Sequence, residues 1–334
     1  MPRESNDAAI LRPDLGVVVD EFAAGRSFGM IAGQVLPYFP VLNQSGGFPV
    51  IPKEVMLKHK DTHRSPRGAY PQADWTWENG QYATSENGWE EFIDDREKEM
   101  YRTMFDVESV AAKRAMRIIM TSREKRVSDL VFNATRFTGH AVTTPWSTAA
   151  SATPIDDVTA AVIAVEEQCG MTPNALIIDS TTFRKLKLCD QIVDQIKYTF
   201  PGTDIQEMTA SQMAQVLGIE EVLVGGGVYD SAKQGKAASI ARFWPSSQAM
   251  VTIIGRENDI TEPCIGKTIF WTDENGDGDA KTIVETYRNE SRRADVVRVR
   301  HDSDELLLCS KDSSGTVVSD IAAAVSYRMT NIQA

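Results

Sequence analysis

The spacing of apolar residues changes along the chain and separates it into distinct segments. In residues 16–89, glycine, proline and asparagine interrupt the sequence so often that no helical periodicity is sustained, and we expect an extended arm followed by a hairpin. The two strands of that hairpin are predicted at 55–60 and at 74–78, where Trp75 and Trp77 alternate with polar residues. Because a lone two-stranded hairpin is marginally stable in water, we expect contacts from outside the chain to cover it.

A long amphipathic helix is predicted after the hairpin. Apolar side chains, among them Tyr101, Met104 and Phe105, recur at i, i+3 and i+4 with Arg and Lys between them. An unbroken helix from about Val107 to Asn133 would be roughly 40 Å long at about 1.5 Å per residue. Such a helix would run along one edge of a whole domain.

A mixed α/β unit is predicted from Thr153 onwards. Thr153 is a typical N-cap for the helix that should end at Gly170. The apolar run at 175–179 predicts a buried strand, after which Ser180 can cap a further helix. The sequence at 209–212 is that of a capping box.

The last part of the chain has the pattern of β-ribbons. Beyond Gly266, Val297 and Val299 alternate with Arg298 and Arg300, which is typical of a strand with one buried face. The predicted fold class is therefore α+β.

Composition and charge exclude some classes of protein. The 334 residues are enough for two domains, and the formal net charge of -12 argues against a protein that binds nucleic acid through phosphate contacts. The four cysteines lie far apart in sequence, so neither a zinc site nor a disulfide framework is indicated. With no signal-peptide pattern and no apolar run of membrane-spanning length, we expect a soluble protein of a reducing cytoplasm.

One short motif suggests an enzyme. The residues from Gly25 to Gly29 spell G-x-S-x-G, the pattern of the nucleophile elbow of serine hydrolases, with Ser27 as nucleophile. An elbow needs a core strand before the serine, and only 26 residues precede Ser27. A glycine-rich arm is the favoured interpretation, and a hydrolase acting through Ser27 is the alternative.

Three further motifs match known binding sites incompletely. Gly266-Lys267-Thr268 ends like a P-loop, but Thr261 stands where its first glycine is required, so a strand is favoured. The acidic run at 273–279 matches the first positions of an EF-hand loop, but the required glutamate is displaced by one, so a polar turn is favoured over calcium binding. His59 and His63 have metal-binding spacing only in a helix, whereas a hairpin is predicted there.

Basic residues are concentrated in the predicted hairpin of this acidic protein. They form either a solvated loop face or a docking surface for an acidic neighbour, since complementary charge sets the register between partners. Together with two tryptophans they are the predicted inter-subunit contacts: Lys53, Lys58, Lys60, Arg64, Arg67, Trp75 and Trp77.

The order of these segments resembles the major capsid protein of tailed bacteriophages, the Hong Kong 97 type. Several stretches are also similar to sequences of that family, and the resemblance extends from Phe48 to about Leu308. The stretches are FPVIPKEVMLKHKDTHRSPRGAY, WEEFIDDRE, PNALIIDSTTFRKLK, VLVGGGVYDSAKQGK and ETYRNESRRADVVRVRHDSDELLL.

The resemblance implies a division of the chain into four regions. These are an N-arm at 1–45, an E-loop at 46–90, a peripheral domain with a spine helix at 91–153 and 266–300, and an axial domain at 154–265 and 301–334. It also implies that copies of the chain assemble as hexamers and pentamers into an icosahedral shell around double-stranded DNA, and that the thin N-terminal segments lie across neighbouring subunits.

The resemblance implies further partners and a location. A separate scaffolding protein, a portal and a decoration protein are expected partners, and the protein is expected in the virion after assembly in the host cytoplasm. No enzymatic activity, catalytic residue, cofactor or metal is expected. The nearest alternative is an encapsulin, a bacterial nanocompartment of the same fold that binds cargo enzymes on its inner face.

Overall fold

The fold was analysed on a computed structural model of the chain. It describes residues 9–25, 29–52, 55, 57–59, 61–64, 66, 68–72, 77–199, 208–233, 235–272, 281–312 and 314–333.

The described residues form the following helices and strands. The helices are α1 (Pro13–Gly25), α2 (Ala32–Val35), α3 (Asp95–Tyr101), α4 (Val107–Val131), α5 (Pro154–Cys169), α6 (Ser180–Leu186), α7 (Asp190–Thr199), α8 (Ala210–Leu217) and α9 (Ile321–Ala324). The strands are β1 (Ile10–Leu11), β2 (Tyr38–Val41), β3 (Ser45–Val50), β4 (Glu78–Ala83), β5 (Ser85–Asp94), β6 (Gly139–Ala141), β7 (Ala175–Asp179), β8 (Glu221–Gly225), β9 (Val228–Asp230), β10 (Ile240–Arg242), β11 (Gln248–Thr252), β12 (Gly266–Trp271), β13 (Ile283–Asn289), β14 (Ala294–Leu307), β15 (Cys309–Lys311), β16 (Val317–Asp320) and β17 (Ser326–Thr330).

A five-stranded sheet with the order β6-β17-β11-β7-β8 lies at the centre of the α/β unit. Every residue of β7 is buried, as its apolar run predicts. Leu176 and Ile178 pack into one apolar cluster with α5, α7 and α8, whereas Ile177 packs into a second cluster with the end of α4. Both faces of this sheet are therefore covered within the chain.

A six-stranded sheet forms the second layer of structure. Its strands follow the order β1-β13-β14-β12-β2, and β5 pairs along β14. Val297 and Val299 are fully buried against the first half of α4, while Arg298 and Arg300 are only partly buried, which confirms the alternation read from the sequence. Because α4 packs on this sheet with one half and on the five-stranded sheet with the other, it joins the two layers.

The long helix is confirmed, but it begins later than the apolar periodicity indicates. Asp106 caps α4 by accepting a hydrogen bond from the Glu108 amide, and the helix has 25 residues, or a length of about 37 Å at about 1.5 Å per residue. The preceding α3 ends at Tyr101. Residues 102–106 therefore separate two helices where the sequence pattern suggests a single one.

The prediction of an extended N-terminal arm is wrong for residues 13–25. These residues form α1, and Leu15 and Val19 are buried against Ala112, Ala115 and other residues of α4. The sequence signal is weak because Gly16 lies inside the helix, where glycine is unfavourable. Part of the N-terminal segment is thus held by its own chain.

Helix ends in the α/β unit follow the predicted signals with two exceptions. Gly170 ends α5 and Thr209 forms the capping box of α8 with Gln212, whereas Thr153 stands at the N-cap of α5 but its side chain makes no capping hydrogen bond. The prediction that Ser180 caps α6 is wrong, because the side chain of Asp179 accepts the hydrogen bond from the Thr181 amide. Within the described residues, no helix combines the length and apolarity that a membrane span requires.

Candidate inter-subunit surfaces

The hairpin formed by β3 and β4 is anchored in its own chain at its base. Phe48 and Val50 are buried in an apolar cluster that includes Val165 of α5 and Leu308. Phe48 faces Gly80 across the hairpin, and a Cβ on Gly80 would lie 2.2 Å from the Phe48 ring, so only glycine fits there. The expectation that the whole hairpin needs cover from outside is therefore wrong for this base.

The paired strands of the hairpin also differ from the predicted ones. They are Ser45–Val50 and Glu78–Ala83, whereas Val55 and Leu57 have helical backbone and lie in no strand. The sequence misplaces the first strand because the glycines and prolines of 46–52 are typical of a turn.

The predicted contact residues that can be placed lie in the exposed outer part of the hairpin. Lys58 and Arg64 are exposed, and Trp77 keeps 52% of its surface accessible. The Arg64 Nε atom donates to the Gly68 carbonyl at 2.6 Å, and its guanidinium lies 4.5 Å from the centre of the Tyr70 ring. The other predicted contacts lie outside the described residues: Lys53, Lys60, Arg67 and Trp75.

One face of the six-stranded sheet carries a ladder of ion pairs. Arg298 of β14 stands between Glu90 of β5 and Glu285 of β13 in the strand register. Its Nη2 atom lies 2.7 Å from Glu90 Oε1, and Arg300 Nη2 lies 2.9 Å from Glu285 Oε1. Opposite charges directly across neighbouring strands stabilise the sheet and hold these groups in place at its surface.

A second charged cluster joins α3 and α4 to the sheet. Arg288 makes two hydrogen bonds to Asp95 and a third to Asp295, and Lys98 donates to both Asp295 and Glu108. The bond from Arg288 lowers the pKa of Asp95, and the bonds to Asp295 and Glu108 raise the pKa of Lys98. Both shifts favour the charged forms of Asp95 and Lys98.

An exposed apolar patch lies between α3 and α4. It consists of Met100, Tyr101, Met104 and Phe105, whose exposed fractions are 65%, 37%, 76% and 44%. Sequence periodicity assigns the last three to the buried face of one long helix, and the break at residues 102–106 turns them outwards instead. Exposed apolar patches of this kind mark interaction surfaces.

The glycine pattern at Gly25–Gly29 has a structural explanation. Ser27 lies outside the described residues, but the motif follows α1 and precedes α2, and the elbow of a hydrolase requires a strand before the serine. Gly29 has a φ of 67°, and a Cβ there would lie 2.7 Å from the Cα of Gly226, whose amide donates to the Gly29 carbonyl at 2.8 Å. Gly29 thus permits a close approach between two backbone segments.

The segment after Gly29 is fixed by a buried carboxylate. Glu124 of α4 accepts hydrogen bonds from the amides of Ile31 and Ala32 and from the indole of Trp244, at 2.8, 3.0 and 2.6 Å. Burial raises the pKa of Glu124, and these three donors act in the opposite direction. Sequence reasoning missed this contact because its partners are far apart along the chain.

The remaining motifs give no ligand site in the described residues. Lys267 is fully buried within β12 and donates to the Arg256 carbonyl, which confirms the strand and not a P-loop. Among the placed residues, no group of three His, Cys, Asp or Glu side chains could hold a metal ion, and the acidic run at 273–279 lies outside them.

The chain is similar to several capsid proteins. A major capsid protein of Burkholderia phage BcepMu is 26% identical over 222 residues, which cover 65% of this chain and 70% of that protein. A phage-related protein from Bordetella bronchiseptica has a similar structure with a TM-score of 0.67 and 17% identity, over 97% of this chain and 98% of the other. The putative capsid protein of a prophage from Escherichia coli CFT073 has a TM-score of 0.51 and 10% identity, over 96% of this chain and 99% of the other.

The chain has the Hong Kong 97-type capsid fold. No protein-family model matches the sequence. The resemblance to tailed-phage major capsid proteins is confirmed by the BcepMu relative together with this fold, and a capsid protein is a structural component and not a hydrolase.

Proposed function

We propose that this capsid protein assembles with copies of itself, as hexamers and pentamers, into the icosahedral head shell of a tailed phage. The observation that carries the proposal is the pairing of a major capsid protein relative with a capsid fold that covers nearly the whole chain. The shell is proposed to enclose double-stranded DNA without sequence-specific contacts, which agrees with the formal net charge of -12.

We propose that the outer part of the hairpin docks on a neighbouring subunit. Its described residues Lys58 and Arg64 are exposed cations on an acidic protein, and Trp77 is a half-exposed aromatic ring. Aromatic and arginine side chains are enriched at the centres of protein interfaces. We include Lys53, Lys60, Arg67 and Trp75 among the residues proposed to contact the neighbouring subunit.

The division of the chain into N-arm, E-loop, peripheral and axial regions also remains a proposal. It is supported by the two separate sheets, joined by the spine helix α4, and by the hairpin that leaves the body of the protein. A scaffolding protein, a portal and a decoration protein are proposed as further partners. Closed shells of regular size formed by this chain alone would contradict the need for a scaffold.

Electron microscopy of the purified protein tests the function directly. We expect capsomer rings, and a monomer at every concentration would contradict the proposal. Closed shells of regular size would support the shell function and contradict only the need for a scaffold. The double variant Lys58→Glu with Arg64→Glu tests the docking surface, and we expect it to remain folded by circular dichroism but to lose assembly.

A matched control carries the same change of charge elsewhere. Lys113→Glu with Lys236→Glu also removes two exposed cations and adds two carboxylates, but outside the hairpin and outside the apolar patch at residues 100–105. The docking proposal requires a larger loss of assembly in the hairpin variant than in this control. Equal assembly of the two variants would contradict it.

A further inference from the structure

The long strand β5 has one edge without a partner strand. Its ten residues, from Ser85 to Asp94, pair with β14 in an unbroken register, and within the described residues β5 pairs with no other strand. The opposite edge therefore presents a row of backbone amides and carbonyls that no strand in the described part of the chain uses.

This edge lacks most of the features that keep sheet edges from pairing. Natural edge strands are commonly short, interrupted by proline or a bulge, or protected by lysine. β5 is ten residues long, contains neither proline nor lysine, and shows no shift of register against β14. A strand of this length and regularity can accept a further strand along its free edge.

Two half-exposed aromatic rings lie on β5. Trp89 is 45% exposed and Phe92 is 44% exposed, and because an odd number of residues separates them, they point to opposite faces of the sheet. Both rings border a groove of about 550 Å³ beside Gly88 and Arg300. A strand laid along the edge would cover both rings with its own side chains.

The charge of β5 determines what kind of strand can pair with it. The strand holds four carboxylates, Glu86, Glu90, Glu91 and Asp94, and no Lys or Arg. The side chain of Glu86 is 59% exposed, and its ion pair with Arg300 Nε is long, at 3.8 Å. Because like charges on adjacent strands are destabilising, β5 pairs poorly with β5 of a second copy, whereas a basic strand is complementary to it.

The outer hairpin contains such a basic segment. Residues 53–67 include five Lys or Arg and only two acidic residues, and Lys58 and Arg64 make no ion pair with any other described residue. In the same chain, β3 and β4 form a sheet of their own, whose base packs in the cluster around Phe48 and not along β5. A basic strand on β5 must therefore come from a second copy.

We propose that the free edge of β5 receives the basic outer hairpin of a second copy of the chain. The inference rests on the assembly proposed above and names the surface on which the hairpin docks. Backbone hydrogen bonds hold the added segment along β5, and its cations face Glu86 and Glu90. Because the hairpin and β5 are different surfaces of one chain, the contact is heterologous and can close into rings.

Photo-cross-linking identifies the segment that covers the edge. The full chain carrying Trp89→p-benzoylphenylalanine is assembled with isotope-labelled copies, irradiated, digested and analysed by mass spectrometry, so that links between copies are recognised. We expect links from position 89 to residues 51–77 of a second copy. The same photoreactive residue in place of Tyr198, which is 86% exposed on α7, is the control and is expected to give no link to that segment. Links from position 89 only to other segments, or no link between assembled copies, would overturn the proposal.

Charge reversal at Glu86 tests the pairing of charges. In the otherwise unchanged chain, Glu86→Lys should raise the concentration needed for half-maximal assembly about threefold or more, because it places like charges together. In the hairpin variant Lys58→Glu with Arg64→Glu, the same change should lower that concentration. Glu167→Lys, at an exposed carboxylate on α5, is the matched control and should have the same effect in both backgrounds. An effect of Glu86→Lys with the same sign in both backgrounds would contradict the pairing.

The outcomes separate this inference from the assembly on which it rests. A wild-type chain that stays monomeric at every concentration contradicts the assembly itself. Assembled rings that lack the cross-link from position 89, or that show no reversal of the effect of Glu86→Lys, contradict only the placement of the hairpin on β5.

Discussion

The two sheets of this protein bury their strands in different ways. The five-stranded sheet is covered on both faces, and β7 is buried at every position. The six-stranded sheet packs one face on α4 and presents the other as a ladder of Arg and Glu side chains. The first sheet is thus buried on both faces, whereas the second buries one face and exposes a charged one. Substitutions in the two sheets should therefore differ in how much they lower the stability of the single chain.

The largest effect is expected at the second face of the five-stranded sheet. Trp244 is 1% exposed, its ring fills the space beside Gly225, and its indole donates to Glu124. Trp244→Ala should lower the free energy of unfolding by about 3–5 kcal/mol, through the cavity and the lost hydrogen bond. Trp89→Ala, at a ring that is 45% exposed on β5, is the control. If denaturant unfolding showed equal losses of unfolding free energy in Trp244→Ala and Trp89→Ala, the contrast between the two sheets would be contradicted.

A pH-dependent effect is expected next, at the buried face of the six-stranded sheet. Burial, with a smaller contribution from Arg123, lowers the pKa of His301 from 6.5 to about 4. As the pH falls, the unfolded chain therefore binds a proton at this histidine before the folded chain does. The contribution of His301 to the free energy of unfolding is fully present above about pH 6.5 and is lost as the pH drops towards 4, by about 3 kcal/mol at most.

His301→Gln removes this titration and provides the comparison. The difference in unfolding free energy between wild type and variant should shrink or change sign between pH 7 and pH 4. A difference that stays constant over this range would show that His301 does not titrate in the native state as its burial requires.

A smaller effect is expected from the close backbone approach at Gly29. Gly29→Ala places a methyl group against Gly226 and also requires a left-handed backbone, whereas Gly218→Ala has the same backbone requirement, with a φ of 71°, and no neighbour within 4 Å. Gly218→Ala should lower the free energy of unfolding by about 1–2 kcal/mol, and Gly29→Ala should lower it by more than that. Equal decreases in the midpoint temperature of thermal unfolding would mean that Gly226 moves away from the added methyl group without loss of stability.

The smallest effect on the single chain is expected at the exposed ladder. Arg298 is 35% exposed, so Arg298→Met should change the free energy of unfolding by about 1 kcal/mol or less. Its consequence is expected in assembly, as a changed dependence of shell formation on salt concentration. A loss of stability as large as that of Trp244→Ala would contradict the contrast between the exposed face of this sheet and the buried faces of the other.

How much could be predicted from the sequence also differs between regions. In the α/β unit, local signals such as the apolar run at 175–179 and the capping box at Thr209 act within a few residues, and both predictions are confirmed. Near the N-terminus the signals mislead, because α1 is held by packing against α4 and because the glycines at 46 and 47 lie in a strand. Tertiary contacts decide the structure there, and a local pattern cannot report them.

The candidate surfaces show the same limit. The exposed basic hairpin could be proposed from composition alone, but the patch around Met104 could not, since its exposure depends on a helix break at Asp106.

The carboxylate of Glu124 has a consequence for the order of events during synthesis. Its donors are residues 31, 32 and 244, so the segment at 31–32 cannot complete these contacts until Trp244, more than 200 residues further along the chain, has been made. β2 must wait even longer, because its partner strand begins at Gly266. Contacts this distant in sequence close slowly. Ile31 and Leu36 therefore lack part of their apolar cluster on the nascent chain until Trp244 has been made, and exposed apolar side chains of this kind favour aggregation.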